Sequence, residues 1–194
     1  MSLWVRDIVL TAEQHDALHD ANALYFRQAI THFKRSAKFR ARRIEAQVEG
    51  RLATLKRDPV HAAGCMLFWA EGSRKRNSVQ LVNSDPEVIR FFVHFLRTYF
   101  GVTDEKFRVA CNLFADHEDR QREIEQFWLD VIGVPRTCLT KTMVNRYSRY
   151  SQKKRKNKLP YGTCKVTVGS TQIVQHLYGA IQEYGGFERP EWLD

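Results

Sequence analysis

A single carboxylate, Glu71, ends the longest apolar run of the sequence, 62-AAGCMLFWAEGS-73. The run predicts a buried helix from about residue 60 to 71, closed by Gly72 in the left-handed conformation that glycine favours after a helix. A helix C-terminus carries partial negative charge, so a carboxylate there costs about 0.3 to 1 kcal/mol. A divalent cation bound nearby would reverse the sign of that interaction.

Two histidines, His15 and His19, have the i, i+4 spacing of a two-histidine metal pair on a helix. The sequence offers no evident third ligand, and the flanking Asp16 and Asp20 indicate an exposed helix face. An exposed pair that binds no metal is the favoured interpretation.

A second group of acids, Asp116, Glu118 and Asp119, has the residue types of a catalytic cluster. These residues precede a helical stretch, and a helix N-terminus favours negative charge, so capping is the better explanation. Cys111 and Cys164 lie in apolar, strand-like runs without an obvious base, which argues against a thiol nucleophile.

The strongest charge feature is a one-sign segment. Residues 131–182 contain ten Lys or Arg and no Asp or Glu, most densely in 145-NRYSRYSQKKRKNK-158. Basic residues interleaved with Tyr147 and Tyr150 are typical of phosphate contact, although a solubilising loop is the alternative.

The whole chain of 194 residues has a net charge of +9 and a pI of about 9.6, which favours a polyanionic partner. Its hydrophobic fraction of 43% is enough for a core. The run 62–70 is too short to span a bilayer, and we expect no membrane association. Four isolated cysteines without a CxxC pattern indicate small buried residues in a reducing cytoplasm, not a zinc ribbon or a disulfide framework.

The elements that must position these residues follow from capping and periodicity. Thr11 and Gln14 have capping-box spacing and open a long helix to about Arg57, which Asp58-Pro59 ends. Its first half has an apolar face, and its second half is basic. The apolar face is formed by Leu18, Tyr25 and Ala29.

Three shorter amphipathic helices are predicted from Ser84-Asp85-Pro86, from near Asp116 and from near Ser170-Thr171. Strands are predicted at 79–83, 106–114 and 161–168, which makes the fold class α+β. The apolar stripes of the three helices are Ile89, Phe92, Val93, Leu96 and Phe100, then Ile124, Phe127, Trp128 and Val131, then Val174, Leu177, Tyr178 and Ile181.

The run GCMLFWAEGS, the basic turn RKRN and the following VQLVNSDPEVIRFFVHFLRTYFGV resemble the LAGLIDADG homing endonuclease superfamily. The likeness is closest to a bacterial or phage-borne branch with one motif per chain. FWLDVIGVP at 127–135 and YGTCKVTV at 161–168 extend it over about residues 60–184. The motif is degenerate, since LFWAEGS stands where LIDADGS would be expected.

The resemblance implies an αββαββα domain whose saddle-shaped antiparallel sheet lies on double-stranded DNA. We expect this domain over residues 59–194, preceded by a long basic helical arm over residues 1–58. The segment SLWVRDIVLT at 2–11 resembles the tail of a helix-turn-helix.

Single-motif members of the family pair through their motif helices, so the resemblance implies a homodimer through the 60–71 helix. Ala63, Gly64 and Ala70 are small and would allow two such helices to approach closely. A core helix within a monomer is the alternative, because a helix that is apolar all round is buried in either case.

The resemblance also implies roles for individual residues. Glu71 would bind Mg²⁺ near the scissile phosphate, with the carbonyl of Ala70 as a second donor. Lys141 is a candidate for a basic catalytic role, and Gln80 or Asn83 could position water. The residues expected to contact DNA are Arg74, Lys75, Arg76, Asn83, Arg146, Arg149, Lys153, Lys154, Arg155, Lys156, Lys158 and Lys165.

The resulting prediction is a site-specific, Mg²⁺-dependent DNA endonuclease, cytoplasmic and nucleoid-associated, that makes a double-strand break. The alternative is a non-catalytic, sequence-specific DNA-binding regulator that kept the fold. A weaker third hypothesis is RNA binding, for example as an intron-splicing maturase.

Overall fold

The structure is a computed structural model that describes Val9, residues 11–146 and residues 159–193. Within these residues the chain is α+β, as predicted, with one four-stranded sheet. It divides into two compact units, one up to Arg42 and one from Arg43 onward. None of the described helices combines the length and apolar character needed to cross a membrane. The predicted helix-turn-helix tail at 2–11 lies largely outside the described residues.

The helices are α1 (Ala12–Thr54), α2 (Pro59–Glu71), α3 (Pro86–Phe100), α4 (Gln121–Ile132) and α5 (Thr171–Gly185). The strands are β1 (Val79–Asn83), β2 (Phe107–Phe114), β3 (Met143–Asn145) and β4 (Thr163–Val168). The sequence predicted each of these except β3, which has three residues, and α4 starts later than expected because a 3₁₀ segment, Ala115–Arg120, precedes it.

Helix starts follow the predicted local chemistry. The Thr11 N–H donates to Gln14 Oε1 at 3.0 Å and the Gln14 N–H donates to Thr11 Oγ1 at 3.3 Å, which confirms the capping box. Asp58, Asp85 and Ser170 cap α2, α3 and α5 by accepting hydrogen bonds from first-turn N–H groups. Each cap satisfies donors that a helix leaves unpaired.

The end of α1 packs within the second unit. Ala46, Gln47, Gly50 and Thr54 are buried there, so this unit begins before the boundary expected between residues 58 and 59. A Cβ on Gly50 would lie 2.0 Å from the His176 carbonyl oxygen, and one on Gly179 would lie 2.0 Å from that of Gln47. The backbones of α1 and α5 therefore touch at two glycines.

The sheet has the order β1-β4-β2-β3. β4 is antiparallel to both β1 and β2, but β2 and β3 are parallel, so the expected all-antiparallel sheet is wrong at that pair. The reason is the connection: α4 lies between β2 and β3, and a helical crossover returns the chain in the same direction. The expected first hairpin is reduced to an antiparallel bridge between Gly72 and Leu81.

The core lies between the sheet and helices α2 to α5. The predicted stripe residues that are buried are Ile89, Phe92, Val93, Leu96, Ile124, Trp128, Val174, Leu177, Tyr178 and Ile181. Phe100, Phe127 and Val131 pack against this core and are partly buried. The predicted apolar face of the first half of α1 does not join this core, because its residues are exposed: Leu18, Tyr25 and Ala29.

Gly72 does not have the predicted left-handed conformation. Its φ of −76° and ψ of 150° are extended, because the chain leaves α2 directly into the bridge with Leu81. Glycine is needed there for space: a Cβ would lie 2.3 Å from the carbonyl oxygen of Phe68.

Candidate nucleic-acid interface

The two faces of the sheet differ because alternate residues of each strand point to opposite sides. One face is apolar and lies under the helices; Val79, Leu81 and Val166 belong to it and are buried. The described residues of the other face, called the open face below, are mostly polar and, except for Ala110, partly or fully exposed. They are Gln80, Val82, Arg108, Ala110, Asn112, Phe114, Met143, Asn145, Thr163, Lys165 and Thr167.

The open face has a defined register across three strands. Gln80 pairs with Thr167, which pairs with Arg108. One step along the face, Lys165 lies between Val82 and Ala110. Rows of this kind place a lysine and an arginine on one surface with amide and hydroxyl groups, the residue types that contact phosphates and base edges.

Glu71 lies at the edge of the sheet, outside β1. It is the last residue of α2, and the next residue, Gly72, bridges Leu81 while the Ser73 N–H donates to the Gln80 carbonyl at 2.8 Å. Its side chain is exposed and makes no hydrogen bond or ion pair with the described residues. The carboxylate is therefore available to a ligand at this edge of the sheet.

Two of the predicted residues next to Glu71 are brought together. Lys75 Nζ donates to Gln80 Oε1 at 3.2 Å, which joins the basic turn to β1. Arg74 and Arg76 are exposed on the same turn. Asn83 instead stabilises the turn before α3, where its Oδ1 accepts the Asp85 N–H at 2.9 Å.

Lys141 lies at the opposite edge of the sheet. The Thr140 N–H donates to the Val109 carbonyl at 2.7 Å on the side of β2 that faces away from β4. Four strand spacings of about 4.8 Å, roughly 19 Å in all, thus separate the backbones of Glu71 and Lys141. One chain does not bring Lys141 to the carboxylate that it was expected to assist.

The basic segment is described only in part. Arg146 Nε donates to Glu118 Oε1 at 2.8 Å, an exposed ion pair that contributes little to stability. Lys165 is on β4 at the open face. The other predicted DNA contacts of this segment lie outside the described residues: Arg149, Lys153, Lys154, Arg155, Lys156 and Lys158.

The predicted capping by Asp116, Glu118 and Asp119 is wrong. In the described residues no side chain caps α4. At the start of the preceding 3₁₀ segment, His117 Nδ1 accepts the Phe114 N–H at 3.3 Å. The three acids are exposed, and Glu118 pairs with Arg146. The 3₁₀ segment moves the helix start away from these residues.

All four cysteines are buried and free, as predicted. Burial raises the pKa of Cys65 and that of Cys111 to about 12. Burial also raises the pKa of Cys164 well above its usual value. These thiols are protonated at neutral pH and are poor nucleophiles.

Sequence reasoning missed Arg108, Asn112, Thr163 and Thr167 on the open face. Asn112 Nδ2 donates to Thr163 Oγ1 at 3.2 Å across the strand pair. The signal that could have found them is the alternation in TCKVTV, which puts two threonines and a lysine on one face of β4.

Sequence reasoning also missed a partly buried polar cluster among α2, α3 and α5, in which His61 is fully buried and its partners are half-buried. His61 Nδ1 and Tyr184 Oη are 2.9 Å apart, and His61 Nε2 and His176 Nε2 are 3.2 Å apart. Burial, and to a lesser extent the charge of His61, lowers the pKa of His176 to about 4. Burial also lowers the pKa of His61. Both rings are neutral at pH 7 and join two helices across the core.

The exposed side of α2 is the surface through which the homodimer was expected to form. Ala63, Trp69 and Ala70 are exposed on α2, whereas Gly64 is buried. A Cβ on Gly64 would lie 2.5 Å from the Phe95 ring, so this glycine serves α3 packing in its own chain, contrary to its expected role between chains. The small exposed positions on α2 are thus Ala63 and Ala70.

In the described part of the chain, no three His, Cys, Asp or Glu side chains are grouped so that they could hold a metal ion. A metal at Glu71 would need donors beyond one chain's side chains. Comparison of the chain with protein-family models, with curated proteins and with solved structures finds no match.

Proposed function

We propose that this protein binds double-stranded DNA on the open face and hydrolyses its phosphodiester bonds, as a homodimer of the LAGLIDADG type. The observation that carries the proposal is the position of Glu71: an exposed carboxylate, without a partner among the described residues, at the edge of a sheet whose open face is mostly polar. Net charge of +9 supports a polyanionic ligand.

Features of the fold support the resemblance to LAGLIDADG enzymes. An apolar helix runs into an edge bridge, then into β1 and α3, in the order in which the motif helix, hairpin and second helix follow one another in the proposed family. Among the described residues, helices α2 to α5 pack on one face of the sheet, and its other face carries most of the polar side chains of the strands. The parallel β2–β3 pair departs from the family pattern.

The donors at the end of α2 fit a hard divalent cation. Glu71 offers carboxylate oxygens, and the Ala70 carbonyl lies in the last helical turn, where carbonyls lack an intrahelical donor. Mg²⁺ takes only one or two protein carboxylates and keeps several waters. When bound, it would act as a Lewis acid on the scissile phosphate and lower the pKa of an attacking water.

The chain's own residues would do the remaining work. Lys75 holds Gln80 through a 3.2 Å hydrogen bond, so that Gln80 is oriented at the edge nearest Glu71. Lys165 and Arg108 would neutralise phosphates along the open face. Ala63 and Ala70 would let the α2 helix of a second chain approach closely, which brings two Glu71 carboxylates to one site.

The test separates binding from cleavage. Binding sites are selected from a randomised duplex pool, and the selected duplexes are incubated with Mg²⁺ and either the wild type or Glu71→Gln. We expect the wild type to cut both strands and Glu71→Gln to bind with similar affinity without cutting. Glu49→Gln, which changes an exposed carboxylate on α1, is the matched control and should cut like the wild type.

Equal cleavage by Glu71→Gln would contradict the role of Glu71. A selected site that the wild type leaves intact at every Mg²⁺ concentration would contradict the nuclease. Preference for structured RNA over every duplex would contradict DNA as the ligand.

A second candidate is a DNA-binding regulator without catalysis. The observation that favours it is the separation of Lys141 from Glu71 by the width of the sheet. It predicts tight, selective binding that is indifferent to Mg²⁺ and to Glu71→Gln.

A further inference from the structure

The described part of the first unit is, from Ala12 onward, a helix that is exposed on all its sides. All described residues from Thr11 to Arg42 are exposed, including several large apolar ones. Phe26 is 64% exposed, Ile30 is 54% exposed and Phe33 is 74% exposed. A single helix in water is marginally stable, and its stability in proteins comes mostly from packing of an apolar face. An apolar surface of this length marks an interaction site.

The apolar residues form a stripe that is symmetric along the helix. Ala23, Phe26, Ile30, Phe33 and Ala37 follow one another at spacings of three or four residues, which places them on one face. The positions 26 and 30 lie equally far from residue 28, as do 23 and 33. A helix with such a stripe can pair with a second copy of itself running in the opposite direction, Phe26 on Ile30 and Ala23 on Phe33.

The other apolar face of this segment is shorter. Leu18, Tyr25 and Ala29 lie on it, but its next positions are His32 and Ser36, which are polar. The Phe26 stripe therefore offers the longer continuous contact.

The charges beside the stripe have nearly the same symmetry, with their centre at residue 27, one position from that of the stripe. Asp16 and Asp20 lie towards its N-terminal end and Lys34 and Lys38 towards its C-terminal end, all on one flank at helical spacing. In an antiparallel helix pair each flank meets the same flank of the partner. Asp16 then faces Lys38 of the second copy, and Asp20 faces its Lys34. In a parallel pair each flank would meet the opposite flank of the partner, so neither of these attractions would form.

We propose that residues 12–42 of two copies of this chain pair as antiparallel helices, centred near residue 28. The contact is distinct from the α2 contact and needs neither DNA nor metal. A DNA duplex is a poorer occupant of this surface, because it would contact an apolar stripe and two carboxylates as well as the lysines. The proposal goes beyond the proposed function and does not depend on it.

Directed cross-linking tests the pairing and its direction. Two single-cysteine additions, Phe26→Cys and Ile30→Cys, are made in the full chain, whose own four cysteines are buried. On mild oxidation we expect the 1:1 mixture to form a disulfide-linked dimer faster than either variant alone. Faster cross-linking of each variant to itself would indicate parallel helices and overturn the proposal, as would a lack of cross-linking in all three samples.

Charge exchange tests the same pairing without new cysteines. Asp16→Lys/Asp20→Lys and Lys34→Glu/Lys38→Glu should each weaken self-association by about tenfold, and their mixture should restore it. Association is measured by sedimentation without DNA in the Ala63→Glu background, which removes the proposed α2 contact. The pairing would be overturned if either double variant alone associated as strongly as the background protein. It would also be overturned if mixing the two variants did not restore association.

Apart from the shared Ala63→Glu background, the substitutions lie outside the compact unit that begins at Arg43, so thermal unfolding of that unit, compared with the background variant where it applies, provides a folding control. Failure of the arm pairing with DNA cleavage intact would leave the proposed function standing. Loss of cleavage in Glu71→Gln with intact cross-linking would leave the arm pairing standing.

Discussion

The two faces of the sheet differ in burial and in residue type. Val166 and Val168 on β4 are buried under helices, whereas their neighbours Lys165 and Thr167 point to the open face. All four residues lie on one strand, and they differ in burial because successive side chains of a strand point to opposite faces of the sheet. Stability is therefore expected to depend on one set of alternate residues and ligand binding on the other, and substitutions can test that division.

The largest effect is expected under the helices. Phe92 is fully buried and stacks on Phe68, with ring centroids 6.2 Å apart. Phe92→Ala should lower the free energy of unfolding by about 3 to 5 kcal/mol, through lost burial and a residual cavity. Urea unfolding measures it. Phe91→Ala, on the half-buried side of the same helix, is the control and should cost clearly less. An equal loss in both would contradict the assignment of α3 faces.

Acidification should weaken the helix side through the histidines of the partly buried polar cluster. The pKa of His176 is about 4 in the folded chain, below its ordinary 6.5, so the unfolded chain binds more protons between these values. The stabilisation is present above pH 6.5 and is lost as pH falls towards 4, by up to about 3 kcal/mol.

Urea unfolding at pH 7 and at pH 4.5 measures this loss in the wild type and in His176→Gln, where it should be smaller. His94→Gln changes an exposed histidine on α3 and should keep the wild-type pH dependence. Identical pH dependence in all three proteins would show that His176 is not the responsible group.

A smaller loss is expected where α2 meets the sheet edge. Gly72→Ala would place a Cβ against the Phe68 carbonyl and should destabilise by about 1 to 3 kcal/mol. Gly169→Ala is the matched control, because a Cβ there meets no atom within 4 Å. Its expected effect on unfolding is neutral or slightly favourable. Equal stability of the two variants would mean that the edge relaxes without cost.

The smallest effect on stability, and a selective effect on binding, is expected on the open face. Lys165→Ala should change unfolding by less than about 0.5 kcal/mol. Its affinity for duplex DNA should fall by about tenfold, and the salt dependence of binding should lose about one unit of slope. Lys56→Ala, an exposed lysine after α1, is the control. Equal loss of affinity in both variants would indicate that DNA binding depends on the net charge of the protein and not on the open face.

The sequence alone determined where most elements lie. Thr11, Asp85 and Ser170 act within one turn of their own positions, so short-range chemistry identified the starts of α1, α3 and α5. The apolar stripes of α3, α4 and α5 also followed from spacing, because a helix repeats every 3.6 residues wherever it packs.

Tertiary structure decided what depends on partners distant in sequence. Gly72 is extended because Leu81 bridges it, and β3 is parallel to β2 because α4 crosses between them. The distance between Glu71 and Lys141 depends on strand order, which periodicity does not encode. The His61–His176 contact likewise joins residues 115 positions apart, so no local pattern could reveal it.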